Sequence, residues 1–206
     1  MAVPVLTESL QTATISIQGQ SALLYGSMVD PSLFPKKNKE SHDDYEKRTW
    51  RERCHYDAKR RLYVPGYALK RMIETAARYE GERIKGGGMK TKAGKLKCGL
   101  QVPEAMVITP HLLVDDVDGL WKMVPSRGKT GGGSRVPRCF PILQNWSGTF
   151  EVLLIDEKIK KEWVEEAAVR AGIINGLGTW RPQSGGNYGR FTVTDITWNE
   201  IGDLGE

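Results

Sequence analysis

The stretch from residue 176 to residue 191 contains the side chains best suited to binding another molecule. It holds five glycines, two arginines and three aromatic residues. Glycine allows close backbone approach, arginine pairs with phosphate, and aromatic rings stack on bases. We therefore predict a nucleic-acid contact made by Trp180, Arg181, Tyr188 and Arg190 and by a glycine-rich loop of Gly176, Gly178, Gly185, Gly186 and Gly189. The alternative is a structural connection in which Trp180 and Tyr188 fold back onto the core.

Positive charge is concentrated in residues 35–100. This segment carries 19 Lys and Arg against 9 Asp and Glu, a balance of +10, whereas the rest of the chain carries 11 against 16, a balance of −5. Such an uneven distribution is typical of a surface that binds a polyanion, although basic residues also simply solvate surfaces. The contacts predicted from this part of the chain are Arg48, Trp50, Arg51, Lys70, Arg71, Lys90, Lys92, Lys95 and Lys97, and a second basic glycine loop adds Arg135.

A ribonuclease is the competing hypothesis from another class. A histidine can move the proton of a 2′-hydroxyl group near neutral pH, which makes His42 and His55 candidates, with Asp44 as a neighbouring carboxylate. No spacing assigns any of the three to a catalytic position. The sequence therefore favours a binding protein over an enzyme and leaves the enzyme open.

No cofactor or metal is predicted. Gly94-Lys95 is followed by Leu96, and Gly128-Lys129-Thr130 lacks the glycine five residues earlier, so neither forms a phosphate loop. The three cysteines are scattered, which favours a reducing compartment and gives poor support for zinc. No apolar run reaches the length of a membrane span, and no basic segment followed by an apolar one opens the chain, so we expect a cytoplasmic protein.

Hydrophobic periodicity predicts the elements that position these residues. Residues 12–18 alternate as a strand, residues 62–64 lead through Pro65-Gly66 into an amphipathic helix, and residues 149–155 form a buried strand. Asp156 is a plausible N-cap and Gly172 a plausible end for a helix over about 157–172, and a strand follows over 190–198.

This order predicts an α+β fold, ferredoxin-like or RRM-like, with an antiparallel sheet and two helices on one face. We expect one domain over 1–206, with long basic loop insertions at about 26–61, 81–100 and 125–148. Residues 81–99, rich in glycine and lysine, are predicted to form a mobile loop.

Two segments resemble the RAMP superfamily, the RRM-like proteins of CRISPR effector complexes. Val64-Pro-Gly-Tyr-Ala-Leu-Lys-Arg71 is similar to that superfamily's segment at the start of its first helix, and residues 176–191 are similar to its glycine-rich loop. The nearest type is the backbone subunit, which polymerises along guide RNA and inserts a thumb between neighbours. The chain is shorter than such subunits, and it also resembles small phage proteins that share Trp50-Arg-Glu-Arg53, Pro65 and Arg181-Pro182.

The resemblance implies sequence-nonspecific binding of single-stranded nucleic acid and self-association along the strand, with CRISPR proteins as possible partners. A solitary relative could instead bind single-stranded DNA in phage replication, or imitate a CRISPR subunit and block assembly. Cleavage of RNA is also known in the superfamily. The residues do not separate these outcomes, nor RNA from DNA.

Overall fold

The structure, a computed structural model, describes residues 10–81, 91–125 and 134–200. The strands in these residues are β1 (Gln11–Gly19), β2 (Leu23–Leu24), β3 (Tyr63–Val64), β4 (Leu100–Gln101), β5 (Met106–Val107), β6 (Asp118–Pro125), β7 (Arg135–Leu143), β8 (Ser147–Leu154) and β9 (Phe191–Glu200). The α-helices are α1 (His42–Thr49), α2 (Gly66–Glu80), α3 (Lys92–Gly99) and α4 (Lys161–Arg170). None of the helices in these ranges is long and apolar enough to cross a bilayer.

The central sheet has the strand order β4-β8-β1-β9, and every neighbouring pair is antiparallel. In chain order, β1, α2, β4, β8, α4 and β9 give two βαβ halves whose strands interleave, which is the ferredoxin-like arrangement. Helices α2 and α4 pack against each other. The predicted α+β fold is thereby confirmed.

The two faces of the central sheet differ in chemistry. On β1 the alternate residues Ala13, Ile15 and Ile17 are buried in the core, as the period of two predicts. The opposite face carries polar side chains, among them Ser16, whose hydroxyl bonds that of Thr149. Ser16 and Thr149 therefore present hydroxyl groups on this open face.

The insertion at 26–61 contains an eight-residue helix that hydrophobic periodicity does not indicate. Ser41 caps α1 by accepting a hydrogen bond from the Asp44 amide, and a 3₁₀ turn over Trp50–Arg53 continues the helix. The buried residues of α1 are polar, Glu46 and Thr49. Because its buried side is short and polar, the helix lacks the apolar stripe that predicts one.

Residues 92–99 correct the prediction of a mobile loop. They form α3, whose cap is Thr91 and whose Leu96 is fully buried. Lys92 and Lys95 bind carboxylates that lie far along the chain, Glu166 at 3.0 Å and Asp156 at 2.6 Å. Because both carboxylates lie far along the chain, the sequence around α3 does not predict these ion pairs. Residues 82–90 of the predicted loop lie outside the described residues.

Helix α4 begins later than predicted, and a π turn carries the helical chain beyond the predicted end. Its N-cap is Lys160, while Asp156 instead accepts hydrogen bonds from the Lys95 ammonium and the Lys158 amide. Gly172 does not end the helix, because a π turn runs over Ala171–Asn175 and the chain turns only at Gly176, with φ of 67°. This turn delivers the chain into the glycine-rich loop.

Candidate nucleic-acid interface

The glycine-rich loop, residues 176–190, is a closed structure held by backbone hydrogen bonds. The Leu177 amide donates to the Gly189 carbonyl at 2.9 Å, and the Tyr188 amide donates to the Trp180 carbonyl at 3.2 Å. The Thr179 amide donates to the Leu24 carbonyl at 2.9 Å, which fixes the loop to β2. The loop is therefore built into the fold.

Most of the glycines in the loop are required by contacts within the chain. Gly189 has φ of 71°, and a Cβ atom there would lie 1.9 Å from the Leu177 carbonyl oxygen. Similar clashes, all at 2.8 Å or less, meet a Cβ atom at Gly176, Gly178 and Gly186. Gly185 differs, because nothing lies within 4 Å of its added Cβ atom. Close approach of a nucleic-acid backbone stays a prediction, and Gly185 is the loop glycine with open space for it.

Trp180 was predicted either to stack on a base or to fold back onto the core. Its ring packs 4.7 Å from that of Phe140 and 6.4 Å from that of Tyr188, measured between centroids. The side chain remains half-buried, and its backbone adopts a positive φ of 49°. Trp180 is therefore anchored by the fold and still partly open to solvent.

Helix α2 begins next to this loop. Pro65 at its N-cap has no side-chain acceptor for the amides of the first turn, and the Ala68 amide donates to the Pro65 carbonyl at 2.9 Å. A Cβ atom at Gly66 would lie 2.5 Å from the Val102 carbonyl oxygen. Glycine thus lets the start of α2 lie directly against the chain that follows β4.

Two adjoining cavities separate α2 from the loop, and together they form what we call the loop groove. The larger has a volume of about 360 Å³ and the smaller about 140 Å³. Both are lined by Tyr67, Ala68, Gly178 and Arg181. The groove thus joins the two segments that carry the family resemblance, which lie more than a hundred residues apart in the sequence.

The charge in the groove is entirely positive in the described residues. Arg71 and Arg181 line the smaller cavity, and none of the described residues that line either cavity is a carboxylate. Arg181 donates to the Gln183 side chain at 3.0 Å and to the Gly178 carbonyl at 2.9 Å, both neutral acceptors. Burial lowers the pKa of Arg181, and the positive charge of Arg71 lowers it further. An anion bound here would relieve that repulsion.

Several other predicted cations bind carboxylates and lie outside the groove. Arg48 forms a two-pronged pair with Glu40, with donor–acceptor distances of 2.9 and 3.1 Å. Lys70 lies within 3.8 Å of Glu74 and 3.3 Å of the Gln101 side chain, and Lys92 and Lys95 are paired as described above. Charge compensation of this kind makes them weaker candidates for phosphate.

The remaining predicted contacts are not brought together. Arg190 donates to the Ile173 carbonyl at 2.9 Å, while Lys97 and Arg135 are exposed on α3 and β7. Tyr188 packs on Trp180 without lining either cavity. Lys90 lies outside the described residues.

Trp50, which was predicted to contact nucleic acid, lies in the core instead. The side chain is 8% exposed and belongs to the core, and the Arg51 guanidinium covers its ring at 4.2 Å. The ring therefore presents no face to a base, and Arg51 is occupied in the same contact. The charged neighbours of Trp50 in the sequence conceal this burial.

The three candidate acid–base residues fall into different places. His42 is exposed at the start of α1, beside a cavity of about 300 Å³, and Asp44 binds the Ser41 hydroxyl at 2.6 Å. His55 instead lines the larger cavity of the loop groove, where its Nε2 lies 2.8 Å from the Ser27 hydroxyl oxygen. Burial lowers the pKa of His55.

Sequence reasoning missed Tyr67, which lines both cavities and is 69% exposed. The sequence does contain a pattern that could have identified Tyr67. The apolar positions Leu69, Met72, Ile73 and Ala76 mark the buried side of α2, and Tyr67 lies four residues before Arg71 on the opposite side. An aromatic ring and a cation on the solvent side of one helix indicate a binding surface more strongly than either alone.

Metal ligands do not cluster in the part of the chain that the structure describes. No group of three histidine, cysteine, aspartate or glutamate side chains there is arranged to hold a metal ion. Cys54 and Cys139 are buried and Cys98 is exposed, all as free thiols. Burial raises the pKa of Cys54 to about 12.

No protein-family model matches the chain, and no curated protein matches it. Among solved structures, the chain is similar to one from the cryo-EM structure of the Type III-B Cmr-beta bound to cognate target RNA, with a TM-score of 0.48 and 12% identity over 93% of this chain. The match spans 61% of that longer chain. The chain is also similar to Cmr6 from Pyrococcus furiosus, with a TM-score of 0.46 and 14% identity over 90% of this chain and 99% of that one.

Proposed function

We propose that this protein binds single-stranded nucleic acid through the loop groove, with a phosphate held between Arg71 and Arg181. The observation that carries the proposal is the pairing of two arginines in a groove without a carboxylate among the described residues. Like charges placed together destabilise the free protein. A phosphate between two guanidinium groups would convert that repulsion into charge-assisted hydrogen bonds.

Several features favour a strand over a small anion. The cationic cavity continues into a larger cavity lined by Tyr25, His55 and Trp180, and Tyr67 is exposed where the two adjoin. Cations with neighbouring aromatic rings are the combination that binds single strands without sequence preference. The positive balance of residues 35–100 would attract a polyanion over a longer range.

We further propose that this protein is of the RAMP type, that it associates with further copies along the strand, and that CRISPR proteins are its partners. Support for association comes from β6, which pairs only with β7 in the described residues. On this edge strand Trp121 is 45% exposed and Met123 is 54% exposed. Sizing of complexes on strands of increasing length would test this part, because association predicts stepwise growth with length.

Binding itself is tested by fluorescence anisotropy with labelled single-stranded RNA, single-stranded DNA and a duplex of the same length. We expect a single strand to bind and an Arg71→Ala, Arg181→Ala double variant to lose most of the affinity while remaining folded. Comparison of the RNA and DNA strands decides between those two ligands. A parent protein that binds none of the three would overturn the proposal.

RNA cleavage is the second candidate, favoured by the position of His55 in the groove. Its lowered pKa keeps the imidazole neutral at pH 7, as a general base requires. Incubation of labelled RNA with the protein, with and without a divalent metal ion, would then yield discrete fragments. These should vanish in His55→Ala and persist in a His42→Ala, Asp44→Ala variant, and intact RNA after long incubation would exclude cleavage.

A further inference from the structure

The two cavities of the loop groove differ in chemistry although they share a wall. The smaller is cationic, since Arg71 and Arg181 both line it. The larger adds the rings of Tyr25 and His55 and the hydroxyl groups of Ser27 and Thr179. The shared wall, made by Tyr67, Ala68, Gly178 and Arg181, places one cavity directly beside the other.

We propose that the larger cavity is a nucleobase site, which takes one base of the strand whose phosphate lies in the smaller cavity. The inference rests on the proposed function and adds a second contact to it. A nucleotide is a planar, neutral, partly apolar ring joined through a sugar to an anion. The loop groove matches these two parts of a nucleotide, because an aromatic cavity lies beside a cationic one.

The size and lining of the larger cavity suit a base. At about 360 Å³ it lies within the range of small-ligand cavities, roughly 300–1,000 Å³. Leu23, Val64 and Ala68 add apolar walls to the aromatic ones. None of the lining residues that the structure describes is a carboxylate, so none of them would repel the neighbouring phosphate.

The polar groups in the cavity predict weak discrimination between bases. The Ser27 hydroxyl and His55 Nε2 are bonded at 2.8 Å, and which of them donates depends on the histidine tautomer. A hydroxyl can rotate and an imidazole can exchange tautomers, so this pair can present either a donor or an acceptor to the edge of a base. The site therefore accepts different bases with similar affinity, as a protein that coats a strand requires.

The test compares a labelled RNA pentanucleotide with an abasic ribose-phosphate chain of the same length and charge. Loss of a stacked base costs about five- to 150-fold in affinity, so we expect the abasic chain to bind more weakly by at least the lower figure. Ser27→Phe fills the cavity and should bind the pentanucleotide as weakly as the parent binds the abasic chain. Thr149→Phe adds the same ring on the open sheet face and should behave like the parent.

The ring signals of the histidines locate the base without any substitution in the groove. The chain has three histidines, and His42 and His111 are exposed and line neither cavity of the groove. In NMR spectra the His55 ring signal should shift on addition of the pentanucleotide and stay in place on addition of the abasic chain. This measurement tests the base site even if Ser27→Phe does not fold.

The outcomes separate the two proposals. Equal affinity for both chains, or a His55 signal that stays in place while the pentanucleotide binds, would overturn the base site and leave the proposed function standing. Failure of both chains to bind would overturn both. A His55 signal that responds equally to the abasic chain would place the backbone in this cavity and would also contradict the base site.

Discussion

Arg71 and Arg181 line the same small cavity, and no carboxylate among the described residues lies there with them. One comes from the second turn of α2 and the other from the glycine-rich loop, so the fold itself brings the two charges together. Burial lowers the pKa of Arg181 and the charge of Arg71 adds to the effect. The proposed phosphate would replace this repulsion between like charges with charge-assisted hydrogen bonds.

The first prediction follows from that repulsion. Arg71→Ala should leave the free energy of unfolding unchanged or raise it, by at most about 0.5 kcal/mol, because it removes a like charge from an exposed position. The same variant should bind single strands more weakly than the parent. Urea denaturation at low salt measures the first effect and anisotropy the second. Destabilisation beyond about 1 kcal/mol would show that Arg71 has a structural role instead.

The second prediction concerns Glu46, which is 2% exposed. Its carboxylate accepts hydrogen bonds from Arg53 at 2.9 Å, Arg138 at 3.0 Å and the Cys139 amide at 3.0 Å, and so fixes α1 to β7. Glu46→Ala should cost about 3–5 kcal/mol, because it leaves the buried Arg53 charge without its partner.

The control for Glu46 is Lys47→Ala, which breaks an exposed pair with Asp44 at 3.9 Å on the same helix. Exposed pairs contribute about 0–1 kcal/mol, so little change is expected. Urea denaturation of both variants provides the comparison. Equal losses of stability would mean that α1 is not held by the buried carboxylate.

The third prediction separates two glycines of the loop that share a positive φ, 71° at Gly189 and 75° at Gly185. Alanine at Gly185 meets open space and should cost only the strain of its backbone conformation, about 1–2 kcal/mol. Alanine at Gly189 would place Cβ 1.9 Å from the Leu177 carbonyl oxygen and must displace the loop. Melting temperature and strand binding should both fall further for Gly189→Ala, and equal effects in the two variants would contradict this account of the loop.

The fourth prediction is a pH dependence of stability. Burial lowers the pKa of His55 in the folded protein, so below its ordinary value of about 6.5 the unfolded chain takes up the proton first. The free energy of unfolding should therefore fall over the interval from about pH 6.5 down to the lowered pKa of the folded protein, and then level off with respect to this group. His55→Gln should remove this component, whereas His111→Gln at an exposed position should retain it. A parent protein with constant stability across this interval would contradict the burial of His55.

Much of the fold could be predicted from the sequence because its core elements carry regular apolar patterns. The alternation in β1 and the helical spacing in α2 each mark a buried side, and the order of elements then gives the ferredoxin-like sheet. Helices α1 and α3 escaped prediction for a physical reason. Their buried surface is short or polar, and they are held by partners distant in sequence, such as Arg138 for Glu46 and Asp156 for Lys95.

The candidate site was predicted as two motifs but not as a groove. Arg71 and Arg181 were both expected to contact phosphate, yet no local pattern shows that one cavity holds both. Lys70 and Arg71 are adjacent cations in the sequence. Glu74 lies four residues after Lys70, but only the structure shows that this pair forms and that Arg71 lines the groove. The loop glycines show the same limit of sequence analysis. Glycine predicts a close approach at these positions, but the sequence does not show that most of the approaching atoms belong to this chain.

Lys70 and Arg71 also provide the most direct test of the central claim. Each substitution with alanine removes one positive charge from the same turn of α2, but only Arg71 lines the groove. Affinity for a single strand, measured from low to high salt, gives a log–log slope that falls by about 0.7 for each lost phosphate contact. We predict a reduced slope and weaker binding for Arg71→Ala and a slope close to the parent value for Lys70→Ala. Equal slopes in the two variants would contradict a phosphate site in the loop groove.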